Sequence, residues 1–328
     1  MTFSFRVAGA MLALLCAAAA PAQSQDTAHL PSFKGEWAGP ARPPEWSPAT
    51  PAMPPASAIP ASPARGGRAP APHHVLVLGG ARGFHHDSIP SGMAAVWEWG
   101  RASHVWETEL RTDFSLVNAR GGQPMNAGFQ PQGLRDFDAI VIVSATGDWG
   151  LDASQQAALL DFVRSGGGLV VMHGGLDANH AWRDYIDMVG GEFVAHPFNT
   201  AAWPLFPFPI LNESPDTPMT AGLPRQFVKQ EEIYVVRNFS RGDTEVLLSL
   251  DRDALDMRPA AAWLPPNHDV PVAWIKKYGK GRVFASSIGH ASAAFDDPEA
   301  AHMYTEAIKW AMHLEGADPR PHAQPPLR

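Results

Sequence analysis

A chain of 328 residues, 45% of them apolar, is long enough to bury a large core. Its formal net charge of -8 makes nucleic acid and anionic membrane surfaces poor partners. The single cysteine, Cys16, lies in an N-terminal apolar run that we expect to be removed, which excludes a disulfide, thiolate metal ligands and a cysteine nucleophile in the mature protein.

The N-terminus predicts a secretory signal peptide over residues 1–22. Arg6 precedes an apolar run over residues 7–20, which the small residues 20–22 follow. The run is too short to span a bilayer comfortably and no later run is longer, so we predict a secreted, periplasmic protein without a membrane span. A lipid anchor on Cys16 is the less favoured alternative, because Leu15 is bulky where a lipoprotein signal has a small residue.

Proline and alanine dominate residues 23–73, which predicts a disordered linker. The alternative is that residues 33–46, with two tryptophans, lie against the domain. We place the globular domain at residues 74–314 and a polar tail at 315–328.

The predicted strands are short, continuous apolar runs, typical of parallel strands covered on both faces by helices. They lie at residues 75–78, 139–143 and 169–172, and residues 272–275 and 283–288 form a hairpin around a turn at 278–281. The sequence therefore predicts an α/β fold with a mostly parallel central sheet.

Helical spacing fills the intervals between these strands. Ser88 is a candidate N-cap for the first helix, and Asp152 with Gln155 resembles a capping box that opens the second. A third helix covers residues 182–189, and Asp297 with Pro298 opens the last one. The predicted inward faces carry Ile89, Met93, Val96, Trp97 and Gly100, then Leu159, Phe162 and Val163 before a stop at Gly166, then Trp182, Tyr185, Ile186 and Val189, and finally Tyr304, Ile308 and Ala311.

Histidines concentrate in the loops that follow the predicted strands. In an open α/β sheet, ligands bind beyond the carboxyl ends of the strands, so these loops mark the expected site. They contain His85, His86, His173 and His290, and His196 is a fifth candidate. The glycines at 79–83 lack the spacing of a dinucleotide-binding loop, so no nucleotide is expected.

Neutral imidazole can transfer a proton near pH 7 and binds zinc and related divalent metals. We therefore name His173, His86 and Glu232 as candidate catalytic residues, and His86, His173, His196 and His290 as candidate ligands of a divalent metal. The same loops give candidate substrate-binding residues at Arg82, His85, Asp148, Trp149 and Trp274. Trp203 is a further flat face for a sugar ring, although burial in the core is the more favoured interpretation for every tryptophan.

The segment at 166–175, GGGLVVMHGG, predicts a buried strand and a tight turn where many α/β enzymes hold a nucleophile, yet the turn carries His173. Together with this segment, four other stretches resemble the ThuA-like (trehalose utilisation) family, with matching order and spacing across 74–314. They are GFHHDSI at 83–89, GGEF with His-Pro at 190–197, EEIY at 231–234, and residues 271–290 from PVAW to Gly-His.

The resemblance implies a class I glutamine amidotransferase-like, flavodoxin-related three-layer fold with a turn at His173 where the amidotransferases keep a cysteine. It implies a role with trehalose-type disaccharides or 3-keto-glycosides, and a sugar dehydrogenase as a partner. The histidines carry over as His86, His173, His196 and His290, with Glu231 or Glu232. The chain departs from the family at Thr217, where a histidine is common, and at the Gly-Gly pair after His173.

Two hypotheses about function follow. The first is an exported protein that processes a small carbohydrate in a histidine-lined pocket, as a hydrolase, lyase or isomerase, with or without a metal. The second is a non-catalytic carbohydrate-binding or sensing module, favoured by the absent nucleophile and the long tether.

Overall fold

The computed structural model describes residues 72–122, 130–199, 205–265, 267–317 and 319–320. The predicted signal peptide, nearly all of the predicted linker, Trp203 and most of the polar tail lie outside the described residues, and those predictions stand as made.

The described residues form eleven strands and five α-helices. The first strand begins at His73, one residue before the predicted domain boundary. The strands are β1 (His73–Leu78), β2 (Trp106–Arg111), β3 (Ala139–Val143), β4 (Gly168–Met172), β5 (Glu192–Ala195), β6 (Phe206–Asn212), β7 (Gln226–Glu231), β8 (Val235–Arg237), β9 (Glu245–Leu250), β10 (Pro271–Tyr278) and β11 (Gly281–Ser286). The helices are α1 (Ile89–Ser103), α2 (Ala153–Arg164), α3 (Arg183–Val189), α4 (Ala293–Asp296) and α5 (Pro298–Ala311).

One nine-stranded sheet carries the fold, in the order β2-β1-β3-β4-β11-β10-β9-β6-β7. The first five of these strands run parallel, and the β10–β11 hairpin reverses the direction so that the remainder is antiparallel. The predicted α/β class and the predicted hairpin are confirmed. The sheet is mixed, with its parallel strands at the β2 end and its antiparallel strands at the β7 end. β5 and β8 pair separately in a two-stranded sheet.

Alternating residues of the parallel strands enter two cores, one on each face of the sheet. Val75 and Val77 pack with residues of α1 and α5 on one face. Leu76 and Leu78 pack with residues of α2 and α3 on the other. This gives the three-layer arrangement and explains the continuous apolar runs, because a strand covered on both faces has no solvent side.

Helix α2 begins as the capping box predicts. The Asp152 carboxylate accepts hydrogen bonds from the amides of Ser154 and Gln155, and the Gln155 side chain returns to the Asp152 amide. The helix ends before Gly166, whose φ of +126° few other residues adopt. Tyr304, Ile308 and Ala311 of α5 are fully buried, as predicted.

Two details of α1 differ from the prediction. Trp97 is 43% exposed, and the guanidinium of Arg101 lies over its ring, so it belongs to the outer face. Ser88 precedes the helix but its side chain does not cap it. The hydroxyl instead donates a hydrogen bond of 2.9 Å to the carbonyl of Gly289. None of the helices in the described ranges has both the length and the apolar character needed to cross a bilayer.

Candidate functional site

Three loops at the same edge of the sheet bring three histidines together. The neighbouring strands β1, β3, β4 and β11 are parallel, so their carboxyl ends meet there. The loops after β1, β4 and β11 carry His86, His173 and His290. His173 follows β4 directly with a φ of +44°, an uncommon left-handed conformation for a residue with a side chain.

Both nitrogens of the buried His173 ring have close neighbours. Nδ1 lies 2.7 Å from the carbonyl oxygen of Ser287 and must donate to it, because a carbonyl only accepts. In the neutral ring, Nε2 therefore presents its lone pair. The Tyr234 hydroxyl lies 2.8 Å from this atom, His86 Nε2 lies 3.2 Å away and His290 Nδ1 3.3 Å away.

Glu232 supplies the carboxylate of this group. Its Oε2 lies 3.0 Å from His290 Nδ1 and 3.5 Å from His173 Nε2. Burial alone would raise the pKa of Glu232, but the neighbouring imidazoles of His173, His290 and His196 hold that pKa well below the usual range. The carboxylate is therefore ionised at neutral pH.

Glu231 has a different task from its neighbour. It is buried, and its carboxylate accepts hydrogen bonds from the backbone amides of Glu232 at 2.8 Å, Gly289 at 2.9 Å and His290 at 3.3 Å. Burial raises its pKa. Glu231 thus fixes the loop that carries His290, and of the two glutamates left open by the sequence only Glu232 faces the histidines.

Two further contacts fix the same loop. The fully buried Ser88 joins the segment of His86 to Gly289. Gly289 has a φ of +125°, and a Cβ at this position would lie 3.4 Å from Cβ of His173 and 3.3 Å from the Phe295 ring. Glycine therefore allows the loop of His290 to approach His173.

The pKa values of two histidines move in opposite directions. Burial, with the neighbouring His173 and His290, lowers the pKa of His86 to about 3. Burial also acts to lower the pKa of His290, but the hydrogen bond with Glu232 outweighs it and the pKa is raised. Such a divergence gives one neutral imidazole and one that holds a proton more readily, the pattern found at sites of proton transfer.

The metal ligands predicted from the sequence are only partly brought together. His86, His173 and His290 join Glu232 in a group whose ligand atoms all lie within 4.8 Å of one another, which we call the His3Glu cluster. His196 lies outside it. Its side chain is 47% exposed, stacks on Phe193 and contacts the other oxygen of Glu232 at 3.5 Å.

The predicted substrate-binding residues fall into two groups. Trp149 and Trp274 lie in the hydrophobic core, where their indole N–H groups donate to the carbonyls of Ala145 and Val189, so neither ring has a face open to a ligand. Arg82, His85 and Asp148 are exposed in the loops after β1 and β3. The Asp148 carboxylate accepts from the amide of Gly150 and shapes its own turn.

Two site residues carried no predicted role. Tyr234 is buried beside His173 and Glu232, and burial raises its pKa well above the ordinary 10, which keeps its hydroxyl protonated. Phe84 is 65% exposed, and its ring meets the edge of the His86 ring at 4.7 Å. The sequence signal was present, since both residues lie in the motifs that contain His86 and Glu232.

The three-layer fold, with histidines at the strand ends and His173 at the turn after β4, defines an α/β protein with histidine rather than cysteine at that turn. The trehalose utilisation family, ThuA, matches residues 74–311, and the chain belongs to this family. No curated protein matches the sequence.

Solved structures of two bacterial proteins are similar in fold. A ThuA-like protein from Bacteroides uniformis superposes with a TM-score of 0.56 at 20% identity, covering 75% of this chain and 94% of its own. A ThuA-like protein from Parabacteroides merdae has the same TM-score at 14% identity, with coverages of 76% and 92%. At these identities the likeness shows the shared fold.

Proposed function

We propose that this protein processes a small carbohydrate, of the trehalose-type disaccharide or 3-keto-glycoside class, at the His3Glu cluster. The observation that carries the proposal is the convergence of three imidazoles and one ionised carboxylate at the sheet edge where α/β proteins bind ligands. Membership of the trehalose utilisation family supports a carbohydrate as the substrate class.

The chemistry of the cluster suits a sugar. Hydroxyl and carbonyl groups react when a proton is moved or when the oxygen is polarised. Neutral His86 can accept a proton, whereas His290, whose pKa is raised, and the Tyr234 hydroxyl can donate one. His173 and Glu232 hold these groups in place through the contacts described above. The reaction class is a hydrolase, lyase or isomerase step on the sugar.

Phe84 supplies the apolar face that such a site needs. Its ring is exposed beside His86, whereas the tryptophans favoured by the sequence are buried. Sugar rings present flat C–H faces that pack on aromatic rings, so Phe84 replaces Trp149 and Trp274 as the proposed stacking residue. Arg82 and His85, exposed in the same loop, are the proposed hydrogen-bonding partners for the hydroxyl groups of a sugar packed there.

The test is a panel of trehalose, other disaccharides and their 3-keto derivatives, with binding measured by calorimetry and turnover by mass spectrometry. We expect binding, turnover of at least one sugar and loss of turnover in His290→Ala. Phe84→Ala should weaken sugar binding at least about tenfold, the effect of removing one well-packed aromatic contact. Trp97→Ala, which removes another exposed aromatic, on α1, is the matched control and should bind normally.

Each outcome decides between the hypotheses. Binding without turnover would establish the non-catalytic carbohydrate-binding module instead of the enzyme. A failure of every sugar to bind would overturn the proposal. A 3-keto sugar as the preferred substrate would require a sugar dehydrogenase as the preceding enzyme, the partner class that the family resemblance implies.

We also infer that the protein is exported to the periplasm, on the strength of residues 1–22. The expected observation is a mature periplasmic protein that begins at Gln23, identified by mass spectrometry of its N-terminal peptide. Recovery of an uncleaved chain from the cytoplasm would contradict this.

A further inference from the structure

The geometry points to a zinc-type divalent metal site made by His86 Nε2, His173 Nε2, His290 Nδ1 and Glu232 Oε2. This inference deepens the proposed function, because it concerns the same pocket. The metal site is tested without a sugar, so the metal inference and the proposed carbohydrate function can fail independently.

The distances between the ligand atoms fit one central ion. Zinc binds imidazole nitrogen and carboxylate oxygen at about 2.0–2.2 Å, which places neighbouring ligands of a tetrahedron about 3.3–3.6 Å apart. The His173 Nε2 atom lies 3.2 Å from His86 Nε2, 3.3 Å from His290 Nδ1 and 3.5 Å from Glu232 Oε2. The His290 Nδ1 to Glu232 Oε2 distance is 3.0 Å. Two of these four distances fall in that range and the other two are shorter than it, while every pair of ligand atoms lies within 4.8 Å, so a small inward or outward shift of the side chains would complete the tetrahedron.

Hydrogen bonding alone satisfies this arrangement poorly. The carbonyl of Ser287 accepts a hydrogen bond from Nδ1 of His173, so Nε2 carries a single lone pair. Four polar groups lie within 3.5 Å of that lone pair: His86, His290, Glu232 and the Tyr234 hydroxyl. One lone pair accepts one good hydrogen bond. A cation attracts all the ligand lone pairs at once, and that is why side chains of this type converge around metals.

The second nitrogens of the rings are compatible with metal binding. Metal-bound histidines commonly donate their other N–H to a carbonyl or carboxylate, as His173 does to Ser287. For His86, Nδ1 is buried with no partner among the described residues, so nothing in this region holds the proton on Nε2. Its Nε2 can therefore present a lone pair to the ion.

The donor set selects the kind of metal. Calcium and magnesium prefer shells built from oxygen, whereas three imidazoles with one carboxylate suit zinc and the neighbouring transition metals. The charge also fits, since the one ionised carboxylate offsets half the charge of a divalent ion and leaves it electrophilic. When bound, such an ion would polarise a sugar oxygen.

Contacts around the ligands hold them in position before any metal arrives. Glu231 fixes the backbone of His290, Ser88 joins the segment of His86 to Gly289, and the Ser287 carbonyl orients His173. Because these contacts already fix the ligands at three strand ends, little conformational entropy is lost when an ion binds, and this favours affinity.

The experiment uses the full-length protein, stripped with a chelator, and Zn²⁺ alone as the probe. Competition with a chromophoric chelator should give one zinc per chain. His290→Ala and Glu232→Ala should each weaken zinc binding by more than about 100-fold. Mutating a residue that only hydrogen-bonds to a metal ligand already lowers metal affinity by about 10–100-fold, and these two residues are ligands themselves. His302→Ala, which removes an exposed histidine of α5, is the matched control and should keep the wild-type affinity.

Circular dichroism of each variant establishes that it is folded, and visible absorption of the Co²⁺ form checks for imidazole and carboxylate ligands in wild type. The absence of stoichiometric zinc binding would overturn the inference. Unchanged affinity in a folded His290→Ala variant, or equal affinity for Mg²⁺ and Ca²⁺, would also overturn it.

Discussion

Replacing Ser88 with alanine tests whether the loops of His86 and His290 are held together by one buried hydrogen bond. The Ser88 hydroxyl is fully buried and donates to the carbonyl of Gly289 over 2.9 Å, across 201 residues of sequence. The substitution removes that donor and leaves the carbonyl of Gly289 without it. No capping energy is lost with it, because the hydroxyl makes no capping hydrogen bond to α1.

We expect Ser88→Ala to lower the free energy of unfolding by about 1–3 kcal/mol, which is the cost of leaving a buried carbonyl without its hydrogen-bond partner. Against a total unfolding free energy of about 5–15 kcal/mol for a domain, that loss is readily measured. The hydrogen bond involves no metal ligand, but it joins the loops that carry His86 and His290. We therefore also expect zinc affinity to fall by about 10-fold, the lower end of the range for residues that support metal ligands.

The assay is urea unfolding of the chelator-treated protein, followed by zinc competition on the folded variant. Ser103→Ala is the matched control, since Ser103 also donates to a carbonyl, that of Trp99 at 2.7 Å, but does so on the exposed end of the same helix. It should change stability by less than about 0.5 kcal/mol. Equal unfolding free energies for the two variants would refute the reasoning.

Three further predictions concern other parts of the molecule. Glu231→Gln should lower zinc affinity by about 10–100-fold in chelator competition, because an amide nitrogen cannot accept from backbone amides; unchanged affinity would remove Glu231 as a positioning residue. Arg237 holds the pKa of Glu192 at about 2, below its ordinary 4.5, so the ionised carboxylate stabilises the fold above pH 4.5 and this contribution is lost as pH falls through about 2. The difference in unfolding free energy between wild type and Glu192→Gln should therefore shrink over that interval in urea titrations, and a constant difference would contradict the assignment. Trp274→Phe should lower stability by about 1–3 kcal/mol by leaving the carbonyl of Val189 unpaired, and calorimetry should show sugar affinity unchanged; a selective loss of affinity would place the ring in the binding site after all.

The parallel half of the fold was predictable because burial on both faces leaves a direct pattern in the sequence. The runs of β1, β3 and β4 are apolar at every central position, and the capping box of α2 is a local signal. β2 escaped prediction because it is the edge strand, and its sequence WETELR mixes charged residues with few apolar ones. Edge strands face solvent, so their pattern is weak.

The site was predictable as far as topology decides it. His86, His173 and His290 follow strands that are parallel neighbours, so their meeting follows from strand order. The choice between Glu231 and Glu232 depends instead on the amides of a loop nearly sixty residues away. No local pattern encodes that contact.

The burial of aromatic residues shows the same limit. Trp149 and Phe84 both lie in loops after strands, yet Trp149 is covered by Phe114 and Tyr185 while Phe84 stays exposed. Position relative to a strand predicts which loop a residue joins, whereas long-range packing determines which way its ring faces.

The geometry of His173 argues against a direct attack on a substrate from the turn after β4. A nucleophile needs one reactive atom with open space in front of it, within about 3–3.5 Å of the atom it attacks. His173 has no exposed surface, its Nδ1 is occupied by Ser287, and Tyr234 and His86 lie within 3.2 Å of its Nε2. A sugar cannot reach that nitrogen without displacing one of them. We therefore assign His173 a holding role, as a metal ligand or an anchor, and place any reaction at the open side of the cluster, where Phe84 is exposed and His290 is partly exposed.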